Sequence, residues 1–165
     1  MNHPQYIHHK IFSPKEIVFQ VNRWRMISKT ISFTNGCFDI LHPGHIASLS
    51  EAAREADFLI VGLNSDESAN RLKGPGRPVM DQQSRALMLA GLVMVDAIVI
   101  FEEDTPLELI KKIMPDVLVK GGDYKVEEIA GAKEIISWGG KVIINPIVAG
   151  FSTTSIIQKM KEGKS

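Results

Sequence analysis

Two histidines three positions apart, His42 and His45, are the side chains in this 165-residue chain best placed to do chemistry. They close the run Thr34-Asn35-Gly36-Cys37-Phe38-Asp39-Ile40-Leu41-His42-Pro43-Gly44-His45. Pro43 ends an extended segment, and Gly44 leaves room for a ligand against the backbone. Downstream, Ile46, Leu49, Ala53 and Ala56 recur at helical spacing, so both imidazoles stand where a helix begins. A helix start offers free N–H groups and the positive end of its dipole, which together favour an anion such as a phosphate. The bland alternative is a cap or a surface pair, because HPGH alone is a weak signal. A metal-binding module is a further alternative, since Cys37, Asp39, His42 and His45 include zinc-type ligands.

Other residues suit the same chemistry. Gly36 and Gly122 let a flat ring or a ribose approach the backbone, and Asp39 and Asp123 can accept from hydroxyls. Ser152-Thr153-Thr154 opens the last helical stretch, with Ser152 suited to cap it. Arg71-Leu72-Lys73-Gly74-Pro75-Gly76-Arg77-Pro78 holds too much Gly and Pro for regular structure. It reads either as a solvated basic turn or as a flap carrying Lys73 and Arg77 onto phosphates. We favour the flap, because a neutral protein that handles phosphates needs local cations. Gly74-Pro75-Gly76 is not a dinucleotide fingerprint, since no strand precedes it and a third Gly is missing. Cys37 reads as a packing residue, and neither a Ser-His-Asp set nor a Walker A run is present.

The elements that must position these groups alternate. A polar arm over residues 1–12 is followed by Ser13-Pro14-Lys15-Glu16, a capping box that starts an accessory helix to about Ser28. Strands are predicted at Ile31–Phe33, Phe58–Leu63, Ala97–Phe101, Asp116–Lys120 and Lys141–Asn145. Helices are predicted from the HPGH run, from Asp81 through about Leu92 with Arg85 on it, after Thr105-Pro106, and over Glu127–Trp138. This alternation predicts a doubly wound, Rossmann-like α/β fold: a five-stranded parallel sheet with helices on both faces. Residues 1–30 form the arm and accessory helix and 31–165 a single domain. In such sheets ligands sit beyond the carboxyl ends of strands, where the strand order reverses. The loops carrying HPGH, Asn64-Ser65-Asp66, Gly121-Gly122-Asp123 and Ser152-Thr153-Thr154 should therefore share one rim.

Composition restricts the partners. Lys and Arg total 19 and so do Asp and Glu, so no global field draws in nucleic acid or an anionic membrane. No apolar run is long enough to span a bilayer, the N-terminus lacks a signal pattern, and one Cys excludes an intrachain disulfide. A cytoplasmic protein is expected.

G-x-F-D followed by HPGH, set between a strand and a helix, resembles the HxGH signature of the nucleotidyltransferase superfamily, which is cytidylyltransferase-like in fold. The resemblance covers nearly the whole chain. The runs V-G-L-N-S-D, R-L-K-G-P-G-R-P-V, E-E-D-T-P-L-E-L-I, V-L-V-K-G-G-D-Y and G-F-S-T-T-S-I-I are similar to the adenylyltransferases of ADP-heptose synthesis, in their stand-alone form. The resemblance implies transfer of AMP from ATP, with Mg²⁺, to D-glycero-β-D-manno-heptose 1-phosphate, in a homodimer. It implies phosphate contacts from His42, His45 and Lys73, and a nucleotide framed by Thr34 to Asp39, Gly44, Gly122, Asp123 and Ser152 to Thr154. Arg77 and Arg85 would approach the substrate phosphates. Met80 departs from the family, where Asn is frequent. A cytidylyltransferase for glycerol 3-phosphate or another small phosphate, and a nucleotide-binding regulator without turnover, are the other readings that the residues allow.

Overall fold

Six parallel strands form one sheet in the computed structural model, which describes residues 6–146, 153 and 156–158. In chain order they are β1 (Ile11–Phe12), β2 (Ile31–Gly36), β3 (Phe58–Asn64), β4 (Ala97–Phe101), β5 (Val117–Gly121) and β6 (Lys141–Asn145). Their order across the sheet is β1-β4-β3-β2-β5-β6. The helices are α1 (Glu16–Met26), α2 (Pro43–Arg54), α3 (Asp66–Lys73), α4 (Gln82–Ala90), α5 (Leu107–Ile113) and α6 (Ala132–Ser137). The sheet thus has one strand more than the five expected, and the addition is β1.

That strand lies in the segment expected to be a loose arm. Residues His8–Lys10 form a 3-10 turn, and Ile11 and Phe12 pair with Ile98 and Val99 at the sheet edge. Lys10 Nζ donates to the carbonyls of Leu92 (3.1 Å) and Val95 (2.7 Å), which follow α4. Two residues are too short to show period-2 alternation, so the strand leaves no signal in the sequence. Ser13 and Glu16 form the capping box reciprocally. Ser13 N donates to Glu16 Oε2 at 2.8 Å, and Glu16 N donates to Ser13 Oγ at 3.3 Å.

Apolar side chains fill both faces of the sheet. One core joins Ile17, Val21 and Trp24 of α1 with Phe33, Ile60, Val99, Leu118, Ile110 of α5 and Ile135 of α6. The accessory helix therefore covers the sheet, and its Trp24 ring stacks on Phe58 with centroids 4.2 Å apart. The other core joins Leu49 and Ala52 of α2 and Ala86 and Leu89 of α4 to Leu59, Val61, Leu63, Ile98 and Val119. Because β3 is covered on both sides, it reads as an unbroken apolar run.

Two predicted elements differ. The single helix expected over Glu127–Trp138 is a 3-10 turn, Val126–Glu128, followed by α6, because Gly131 turns the backbone to a φ of +89° between them. Asp66–Lys73, expected as a polar corner running into a loop, is a helix whose N-cap Ser65 accepts from Ser68 N. Glu67, Asn70, Arg71 and Lys73 are exposed, while Ser68 and Ala69 are buried. Within the basic stretch that begins at Arg71, irregular backbone starts at Gly74 and runs to residue 80, with Gly74 and Gly76 at φ of +90° and +78°.

Candidate active site

The strand order reverses between β2 and β5, and there the pairing is short. Ser32 and Phe33 are in register with Val117 and Leu118, but Thr34–Gly36 find partners only on β3. The carboxyl halves of β2 and β5 therefore part and open a crevice at the switch point. Phe38 turns the chain out of β2 with a positive φ of 45°, and its buried ring lies 5.2 Å from that of His45. His42 then takes the N-cap position of α2 in extended geometry, with Pro43 at the first helical position and no side chain capping the helix.

The two imidazoles stack, with centroids 3.8 Å apart and planes inclined by 22°. Burial, together with the neighbouring His42, pulls the His45 pKa down to about 4, and the backbone of Ile40 opposes the shift. Burial also lowers that of His42. Both rings are consequently neutral at neutral pH, and each can donate one N–H to an anion.

A cavity of 350 Å³ is lined by Thr34, Asn35, Gly36, Cys37, Phe38, Asp39, His42 and His45 from the first turn, and by Lys73, Arg77 and Thr153 from elsewhere. These eleven expected residues converge. Gly44 sits in the first turn of α2. Gly122 lies behind the wall with a φ of +141°, where a Cβ would stand 2.4 Å from the Tyr124 ring. Asp123 is exposed and does not line the cavity. Ser152 and Thr154 lie outside the described residues. Thr153 Oγ1 donates to the Ile40 carbonyl at 3.4 Å, which ties the last helical stretch to the loop before α2.

Two expected ligand residues are committed to the protein itself. The Asp39 carboxylate, 2% exposed, accepts from Arg77 Nε at 2.6 Å, Val79 N at 2.7 Å and Met80 N at 3.1 Å. It anchors the 74–80 loop over the crevice. Arg85 is fully buried: Nε donates to Met80 O at 3.0 Å, Nη1 to Cys37 O, and Nη2 to Asp66 Oδ1 at 2.7 Å. The guanidinium braces the first turn from behind, with no face toward a phosphate. Met80 is held through its backbone N–H and C=O, so the departure from Asn changes neither bond.

Lys120, at the end of β5, was not among the expected site residues. Its ammonium reaches into the crevice and donates to Asn35 Oδ1 at 3.1 Å. Burial lowers its pKa; Cys37 opposes that shift and the charge of Lys73 adds to it. A lysine closing the apolar run Val117-Leu118-Val119 is the signal that marks it. Burial raises the pKa of Cys37 despite Lys73, Arg85 and Arg77 nearby, so the thiol stays protonated and acts as packing. Among the described residues no three His, Cys, Asp or Glu side chains gather as a metal site. No described helix is long and apolar enough to cross a membrane.

The cytidylyltransferase-like family model matches residues 33–159, which include the whole crevice. The chain belongs to the cytidylyltransferase-like family. It is a nucleotidyltransferase. Among curated relatives, the bifunctional protein HldE of Paramagnetospirillum magneticum is 55% identical over 140 residues, covering 85% of this chain and 29% of the relative. HldE of Koribacter versatilis is 53% identical over 150 residues, covering 91% of this chain and 31% of the relative. The chain thus spans about a third of the length of the curated relatives it matches. A solved lipopolysaccharide core biosynthesis protein from Thermoplasma volcanium aligns with a TM-score of 0.61 at 29% identity, over 73% of this chain and 98% of that one. Pantoate-beta-alanine ligase from Francisella tularensis, solved with a nucleotide and beta-alanine, shares the fold: TM-score 0.59, 16% identity, 92% of this chain and 76% of that one.

Proposed function

We propose that the protein transfers the AMP moiety of ATP to D-glycero-β-D-manno-heptose 1-phosphate, giving ADP-heptose and pyrophosphate. The observation that carries this reading is the stacked, neutral His42–His45 pair at the uncapped start of α2. A phosphate oxygen of the sugar attacks the α-phosphorus of ATP. The new P–O bond forms as the bond to the β-phosphate oxygen breaks, and pyrophosphate leaves with that electron pair. No covalent enzyme intermediate is needed, so positioning and charge stabilisation supply the catalysis. His42 and His45 donate to the α- and β-phosphate region, and Lys73 meets the outer phosphates, with Arg77 held beside it by Asp39. Mg²⁺ bound with the triphosphate would supply charge neutralisation at its oxygens. The adenine ring and ribose lie against Gly36 and Thr153. The chain is proposed to act as a homodimer in the cytoplasm.

The test is a panel of the four nucleoside triphosphates against heptose 1-phosphate, glycerol 3-phosphate and other small phosphates, read by pyrophosphate release. Turnover confined to ATP with the heptose phosphate supports the proposal. Preference for CTP with glycerol 3-phosphate would replace it by a cytidylyltransferase. Tight triphosphate binding without release under any pairing would make the protein a regulator.

A further inference from the structure

A second cavity, of 460 Å³, opens beside the histidine cavity, and the two share Asn35, Gly36, Cys37, Lys73, Lys120 and Tyr124 as a common wall. Their remaining polar linings differ in chemistry: imidazoles in one, an amide, a hydroxyl and carboxylates in the other. The histidine cavity adds Arg77, and its carboxylate, Asp39, is spent on that same Arg77. The second cavity adds Asn64, Thr105 and the carboxylates Glu128 and Asp104, the latter held by Arg71 Nε at 2.6 Å. Carboxylates and an amide suit hydroxyl groups and repel a polyphosphate. A triphosphate therefore belongs with the histidines, and a polyol with the second cavity. Among the described residues lining the second cavity, the cations are Lys73 and Lys120, both on the shared wall, while Arg71 outside the lining is paired with Asp104. Lys73 is exposed in the last turn of α3, ahead of Gly74. Lys120 is set by β5, is bonded to a neutral amide, and has no carboxylate within ion-pair distance among the described residues.

Resting on the proposed function, we infer that Lys120 is the cation that receives the phosphate of the sugar acceptor at the junction of the two cavities. The acceptor's hydroxyls then face Asp104, Thr105 and Glu128. The ammonium bonds a non-attacking oxygen of the acceptor, leaving the attacking oxygen directed at the histidine cavity. The lowered pKa of the free lysine accords with this role, because a buried cation without a counter-ion gains one when the acceptor arrives. Asn35 holds the ammonium in place between turnovers.

The experiment compares the parent with Lys120→Met and Lys120→Arg by steady-state pyrophosphate release, each substrate varied in turn. It adds calorimetric binding of the sugar 1-phosphate without ATP, and a thermal melt. A charge-assisted hydrogen bond of this kind is worth about 10- to 100-fold. The Michaelis constant for the sugar phosphate should rise by that factor in Lys120→Met, and that for ATP should stay within about threefold. Lys120→Arg should recover part of the loss, and melting should not fall, because a desolvated charge has been removed. An equal rise for both substrates, or a rise for ATP alone, would overturn the assignment. If Lys120→Met fails to fold, Lys120→Gln takes its place under the same criteria. If the parent releases no pyrophosphate, the adenylyltransferase reading falls while calorimetry still decides Lys120. Binding lost in the Met variant supports the assignment, and equal or absent binding in both proteins overturns it.

Discussion

Replacing Asp39 by Asn separates a ligand role from a structural one. The carboxylate is 2% exposed and its partner Arg77 is 16% exposed, with 2.6 Å between Nε and Oδ2. Two backbone donors, Val79 N and Met80 N, share the other oxygen. Asn keeps the shape but has one acceptor oxygen, so its NH₂ must face either the guanidinium or the two N–H groups. Breaking a buried ion pair from one side costs ~3–5 kcal/mol. Arg77 retains some access to water, which brings the expectation to about 2–3 kcal/mol. At ~2–4 °C per kcal/mol for a chain of this size, the melting temperature should drop by about 4–12 °C. Arg77→Met should cost less, and the double variant less than the sum, because one contact is being removed twice. The assay is a thermal melt with steady-state pyrophosphate release on the same preparation. Had Asp39 served the nucleotide directly, as the sequence suggests, Asp39→Asn would weaken ATP use and leave the melt unchanged. A melt within about 2 °C of the parent refutes the anchor.

His45→Ala should lower turnover by ~100- to 1,000-fold with the fold retained, as for loss of one transition-state donor; normal turnover would remove the histidine pair from the reaction. His45 also makes stability depend on pH. Its folded value of about 4 lies below the unfolded ~6.5, so the unfolded chain binds the extra proton between those limits. Its contribution is therefore complete above pH 6.5 and is lost as pH falls toward 4. A shift of this size is worth ~3 kcal/mol in full, and a ring partly open to solvent realises about 1–2 kcal/mol of it. Urea unfolding at several pH values should show this slope in the parent and a shallower one in His45→Gln; identical slopes would contradict it. Arg85→Met should cost about 3 kcal/mol, since the carbonyls of Cys37 and Met80 lose their donor in a buried site, and activity should fall with stability. Unchanged melting would show that the brace is dispensable.

Local pattern and local chemistry made the architecture and the first turn of the site readable from residues alone. Strands β3, β4, β5 and β6 carry continuous apolar runs, because a parallel sheet covered on both faces buries both sides of its strands, and β2 shows Ile31 and Phe33 ahead of its polar turn. HPGH between a strand and a helix start is legible because a helix N-terminus attracts anions whatever surrounds it. The two-residue β1 has no periodicity to read, and its place depends on the β4 edge and on Lys10 reaching the chain after α4. The roles of charged residues were likewise decided by tertiary structure. Arg77, Arg85 and Lys120 are equally credible phosphate-site residues as letters, and Asp39 an equally credible acceptor for a ligand hydroxyl. Asp39 is bound to the loop after α3, 38 residues from Arg77 along the chain, and Arg85 reaches Cys37 across 48. Lys120 enters the crevice because β2 and β5 part after two paired residues. A charge is drawn to whichever opposite charge or dipole the fold brings within a few ångströms, and that distance is set by packing between segments far apart in sequence.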